Sequence, residues 1–95
     1  MKTFYDLKFE SNDMGEYAYE IFPNHYGVSV VRGPYSHGGR MGLYEIAVIK
    51  MTPDMEHSEI CYDTPVTNDV IGHLKPEYVT EYMTQIQKLW NLTKN

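Results

Sequence analysis

The chain is poor in cysteine. Cys61 is the only one, so no disulfide can close within the chain, and a reducing compartment is the natural setting. Long apolar runs are also missing. The longest, 46–49, falls far short of the roughly 20 residues a membrane span requires, and the N-terminal stretch 1–13 carries Asp6, Glu10 and Asp13 with no apolar core of the signal-peptide kind. A soluble, cytosolic protein is expected. Basic residues are few: eight lysines and arginines stand against thirteen acids, a net charge of −5, which disfavours attraction to phosphate backbones and anionic lipids. Neither nucleic acid nor a membrane is an expected partner.

What is present suits one folded unit. At 95 residues, 42% of them hydrophobic and nine of them tyrosine, the chain has enough apolar and aromatic area for a single domain, 1–95, with one core and no need of a structural metal.

Period-two alternation dominates the first two thirds. Over 4–10 it sets Tyr5, Leu7 and Phe9 against Asp6, Lys8 and Glu10, which predicts a half-buried strand. Turn residues fill 11–15. The alternation resumes over 16–22, with Tyr17, Tyr19 and Ile21 opposite Glu16, Ala18 and Glu20, and the two runs are expected to pair as a hairpin. Strands are further predicted at 26–32, 43–51 and 59–63, and Thr67 or Asn68 is placed to cap a short helical turn that closes near Gly72. From 77 to 90 the period changes to that of a helix: Tyr78, Val79, Tyr82, Met83, Ile86, Leu89 and Trp90 form one broad stripe, with Pro76 suited to the first turn. A meander with one apolar face and a helix with one apolar stripe satisfy each other. The fold class expected is α+β, an antiparallel β-meander of four to five strands with a C-terminal α-helix across one face. Phe4, Val31 and Ile49 are expected to point away from the helix, where an uncovered patch would be a contact surface.

Three segments carry a resemblance. HYGVSVVRG at 25–33, GLYEIAVIK at 42–50 and ICYDTPVTNDVIGHL at 60–74, in that order and with FESNDMG at 9–15, resemble a group of small uncharacterised tailed-bacteriophage proteins that share a YGVSV / GLYExAV / YDTPxTxDVIG pattern. Asn68 departs from it, where an acid is usual, as does a longer loop at 51–57. The resemblance implies a phage accessory protein that acts by binding a host enzyme or defence component. It implies no catalytic residue.

Each chemical candidate is weighed against a structural explanation. Arg32, His37 and Arg40 surround a glycine-rich loop, 33–42, and would together form an anion site able to hold a nucleotide. The loop leads into a strand and not a helix, so the pattern lacks the setting of a phosphate-binding loop and also fits a plain hairpin turn. Cys61 would be a nucleophile if His25 or His73 served as its base, but turn chemistry accounts for Asp63, Thr64 and Thr67 beside it. No histidine pair has metal-ligand spacing, and no cofactor motif is found. Five acids between 54 and 69 read as a solvated face. Nine tyrosines exceed what a helix-on-sheet core hides, and exposed tyrosine marks binding surfaces. The expected function is non-enzymatic binding of a host macromolecule, with inhibition of a defence or transcription enzyme as its form. Sequestration of an anionic nucleotide at 32–42 is the alternative, a hydrolase built on Cys61 a weaker third, and a homodimer a further expectation.

Overall fold

The computed structural model describes residues 1–90. Six strands form one antiparallel sheet, and a single helix crosses one of its faces. The strands are β1 (Glu10–Asn12), β2 (Gly15–Ile21), β3 (Tyr26–Arg32), β4 (Tyr44–Met51), β5 (Ser58–Ile60) and β6 (Ile71–Leu74), and the helix is α1 (Pro76–Gln87). The α+β meander capped by a C-terminal helix is therefore the architecture observed.

β1 to β4 lie in chain order, each pairing with the next. Beyond β4 the sheet divides. β6 pairs with the first half of β4, Tyr44 opposite Leu74 and Ile46 opposite Ile71 across a bulge, while β5 pairs with the second half, Ile49 opposite Ile60. β5 and β6 thus run in the same direction along one edge of β4, as one interrupted strand with the 61–70 excursion between them.

The registers fix the two faces. Ala18, Val30 and Ile46 are aligned across β2, β3 and β4, as are Val28 and Val48, and this face is the one under α1. Val28, Val30, Ile46 and Val48 are almost fully enclosed, as are Val79, Met83 and Ile86 of the helix. Burying seven such side chains is the main favourable term in folding, at about 1.5–3 kcal/mol each before conformational entropy is set against it. Pro76 begins the helix, where its missing N–H costs nothing. At the other end the side chain of Asn24, itself buried, donates to the carbonyls of Ile86 and Leu89 at 2.9 and 3.1 Å, which ties the last turn of α1 and the residue after its cap to the segment between β2 and β3.

Two expected elements are corrected. Residues 4–6 form a turn of 3-10 helix and not a strand, because Thr3 and Asp6 make a capping box: the Thr3 hydroxyl accepts from the Tyr5 N–H and the Asp6 carboxylate accepts from the Thr3 N–H. That local bonding turns Phe4, Leu7 and Phe9 inward and leaves Tyr5 exposed. Phe4 and Phe9 join Tyr44 in an aromatic cluster with ring centroids 4.9–5.6 Å apart, so Phe4 belongs to the flank of the core and not to an outward patch. β1 instead occupies 10–12, within what reads as turn chemistry. Likewise 71–74 is a strand and not a helical turn: pairing with β4 supplies hydrogen bonds that the Thr67 and Asp69 side chains cannot extend beyond Val70.

The helix stops at Gln87, short of the expected 90, and its stripe is narrower than expected. Tyr82 and Leu89 pack against the core, whereas Tyr78 lies half exposed at the rim. Among the described residues no helix is long and apolar enough to cross a membrane.

Candidate functional site

The glycine-rich loop is a compact chain of turns. Ser36 bonds back to both the N–H and the carbonyl of Gly33, residues 39–41 make one 3-10 turn, and the His73 N–H of β6 donates to the His37 carbonyl at 3.0 Å. Gly72 lies so close beneath His37 that a Cβ there would stand 2.2 Å from the His37 Cβ. The loop is sewn to β6.

Its three candidate residues do not converge. Arg32 lies opposite Glu16 across β2 and β3, where its Nε and Nη2 both donate to Glu16 Oε1 while the guanidinium carbon sits 4.7 Å from the Tyr44 ring centre. The bond to Glu16 raises the guanidinium above its ordinary value. His37 is held by Glu45, whose carboxylate accepts from both the imidazole Nδ1 and the backbone N–H. Arg40 is exposed, with its Nε donating to the Pro34 carbonyl at 3.3 Å. Two of the three side chains are thus already bonded to carboxylates of the same chain. An incoming anion would have to displace Glu16 or Glu45, at a cost in lost pairing, before it met more than one of them.

Cys61 is buried at 4% exposure, and its thiol donates to Asp63 Oδ1 at 2.8 Å. Burial, and then the neighbouring Asp63, push the thiol up, while its hydrogen bond holds the Asp63 carboxyl below its usual range. A nucleophilic cysteine needs the opposite field, one that favours the thiolate. The arrangement is that of a buried thiol stabilised as a thiol.

Asp54, Glu56 and His57 bring three metal-capable atoms within 4.8 Å of one another, all exposed. The loop's own bonds account for the grouping. Asp54 accepts from the Thr52 hydroxyl, the Glu56 N–H and His57 Nδ1, and these bonds, Thr52 first, hold its carboxyl down to about 2. Of the remaining acids between 54 and 69, Asp69 is likewise engaged locally, accepting from the Val70 N–H at 2.7 Å.

The larger feature is the sheet face that α1 leaves open. Tyr17, Tyr19 and Ile21 of β2, Ser29 and Val31 of β3, and Ile49 of β4 point to it. Ala47 and Ile49 are buried at 8% and 5% exposure yet stand apart from the core cluster beneath the helix, while Tyr19 and Ile60 are 67% and 46% exposed. Two adjoining concavities occupy this face. One, of about 540 Å³, lies between Tyr19 and Ile21 on one side and Ile49, Met51 and His57 on the other, with Ser29 between. The second, of about 310 Å³, continues along β3 past Val31 and Gly33 and is walled by Tyr17, Tyr35 and Glu45.

Alternation in the sequence identifies Val31 and Ile49 as outward residues and separates Tyr17, Tyr19 and Ile21 from Ala18. It does not say which of those two sets the helix covers. The helix takes the side with Ala18, because β3 and β4 place Val28, Val30, Ile46 and Val48 there.

No family model, no curated protein and no solved structure matches this chain. The fold and its surface define a two-layer α+β domain with one sheet face covered by its own helix and the other, apolar and concave, left uncovered by the described residues.

Proposed function

We propose that the chain is a non-enzymatic binding module that docks a macromolecular partner on the open face of its sheet. The observation that supports this is the pair of adjoining concavities lined by the exposed Tyr19 and Tyr35 and by partly buried aliphatic side chains. Apolar, aromatic-rich surface of this kind is the usual content of a protein interface, and leaving it in water is unfavourable. Joined to the phage-protein resemblance, the reading is of a small phage accessory protein acting in the host cytoplasm on a host protein, with inhibition of a defence or transcription enzyme as the outcome.

The competing reading, sequestration of an anionic nucleotide by Arg32, His37 and Arg40, is weakened by the pairing of Arg32 with Glu16 and of His37 with Glu45. Quantitative capture from host lysate separates the two. The wild-type chain, a Ser29→Arg variant and an Arg32→Ala/Arg40→Ala double variant are compared for the same recovered protein. Loss in the Ser29→Arg variant alone supports docking on the open face, and loss in the double variant alone overturns it.

A further inference from the structure

We infer that the open face takes an amphipathic α-helix of a partner protein, one whose polar side is basic. This deepens the binding-module reading and rests on it.

Shape limits what the face can hold. β3 runs down the middle of the face and presents outward only Gly27, Ser29 and Val31, while β2 raises Tyr17, Tyr19 and Ile21 beside it and β4 raises Ile49 and Met51 on the far side. Strands two apart in a sheet are separated by about 9.5 Å, and an α-helix with its side chains is about 10–12 Å across. The low track from residue 27 to residue 33 is about 20 Å long at the rise of a strand, the length of about 13 helical residues. Ser29 borders one concavity and Val31 and Gly33 the other, so the two follow one another along β3. On the opposite face the chain meets the same need with its own helix, which lays Val79, Met83 and Ile86 against the sheet. A second helix completes a three-layer sandwich.

Charge selects the occupant. Glu56 borders one end of the track and Glu45 the other, where Glu45 Oε1 already accepts from His37 and the exposed Arg40 bonds to Pro34 beside the lining Tyr35; among the described residues no lysine or arginine lines either concavity. Arg32 and Lys50 belong to the helix-covered side of the sheet, where Arg32 is paired with Glu16. A second copy of this chain, which carries a net charge of −5, would set acid against acid across the interface. A basic helix meets complementary charge most directly at the Glu56 end.

The test uses three 18-residue synthetic peptides: a Leu/Lys sequence with its leucines on one helical stripe, the same residues scrambled, and a Leu/Glu counterpart of the first. Each is titrated into isotope-labelled protein and followed by amide shifts, with sedimentation of the protein alone. The expected result is micromolar binding of the striped Leu/Lys peptide, a common range for helix-in-groove recognition, with shifts concentrated on outward positions of β2, β3 and β4. Its affinity falls several-fold between low and high salt and about tenfold or more in both Ser29→Arg and Tyr19→Ser, with the folding of each variant checked by thermal melt. Equal binding of the scrambled peptide, shifts on α1 instead of the open face, or no binding by any peptide overturns the helix. Tight binding of the Leu/Glu peptide on the same face overturns the basic partner while leaving the binding-module reading standing, and a dimer that protects the open-face amides makes the occupant a second copy. Failure of the binding-module reading itself is read separately, from the lysate comparison.

Discussion

Arg32 and Glu16 face each other across β2 and β3, and the guanidinium that meets the Glu16 carboxylate also lies over the ring of Tyr44. The arginine ties a strand pair to the aromatic flank of the core. Arg32→Ala is therefore expected to cost stability, about 1 kcal/mol, since the pair is partly exposed and screened, and to leave partner binding unchanged. Denaturant melts read the first and capture of the partner reads the second. A variant with normal stability and no binding would return Arg32 to a ligand site.

Asn24 is expected to matter more than any surface charge. Its buried amide donates to Ile86 and Leu89, and its Oδ1 accepts from the Tyr26 N–H. Asn24→Ala removes the amide from both carbonyls, of which Ile86 keeps the Leu89 N–H at 3.1 Å, with an expected loss of about 1–2 kcal/mol. Urea unfolding measures it, and Asn24→Asp should not restore the loss, because a carboxylate cannot donate.

Two glycines bracket the loop and separate two kinds of cost. At Gly33 a Cβ would stand 1.9 Å from the Met14 carbonyl oxygen, so Gly33→Ala must push the β1–β2 turn away from the end of β3. At Gly42, where φ is +77° with open space around it, Gly42→Ala incurs only the strain of the left-handed backbone, about 1 kcal/mol. Thermal melts should rank Gly33→Ala as much the worse of the two.

Asp54 gives the fold a defined acid limb. Its carboxyl is held at about 2, below the ordinary 3.8, by bonds from Thr52, Glu56 and His57. Because the folded value is the lower, the contribution is fully present above the unfolded value and is lost as pH falls through about 2. Carboxyl titration by NMR should find the Asp54 midpoint near 2, and Thr52→Val should move it upward. Cys61 acts at the alkaline end. Its thiol is raised above the ordinary 9.0, so the stability it carries is intact below pH 9 and declines as pH rises from there through the folded value; Cys61→Ala should flatten that part of the profile.

The C-terminal helix is legible in the sequence because Val79, Met83 and Ile86 recur at helical spacing behind Pro76, and the core they meet rewards that spacing directly. Residues 4–9 mislead because alternation and a capping box compete there: the Thr3 and Asp6 side chains are close in sequence and satisfy the backbone before any strand can. β6 is hidden for a different reason. Its partners are Tyr44 and Ile46, far earlier in the chain, and nothing local in 67–74 announces a long-range pairing. The same distance conceals the fate of the loop cations, since Glu16 lies sixteen positions from Arg32. That the apolar side of β2 is the uncovered one follows from its neighbours, and only the assembled sheet reveals it.

Docking on the open sheet face makes a direct demand on which surface of the molecule meets its partner. A photo-crosslinking amino acid placed at Tyr19, exposed on the open sheet face, and separately at Tyr78, half exposed on α1, tests this in living cells of the proposed bacterial host. Adducts to one cellular protein from position 19 and none from position 78 are the predicted result. Adducts from position 78 alone, or from neither position, would contradict docking on the open face.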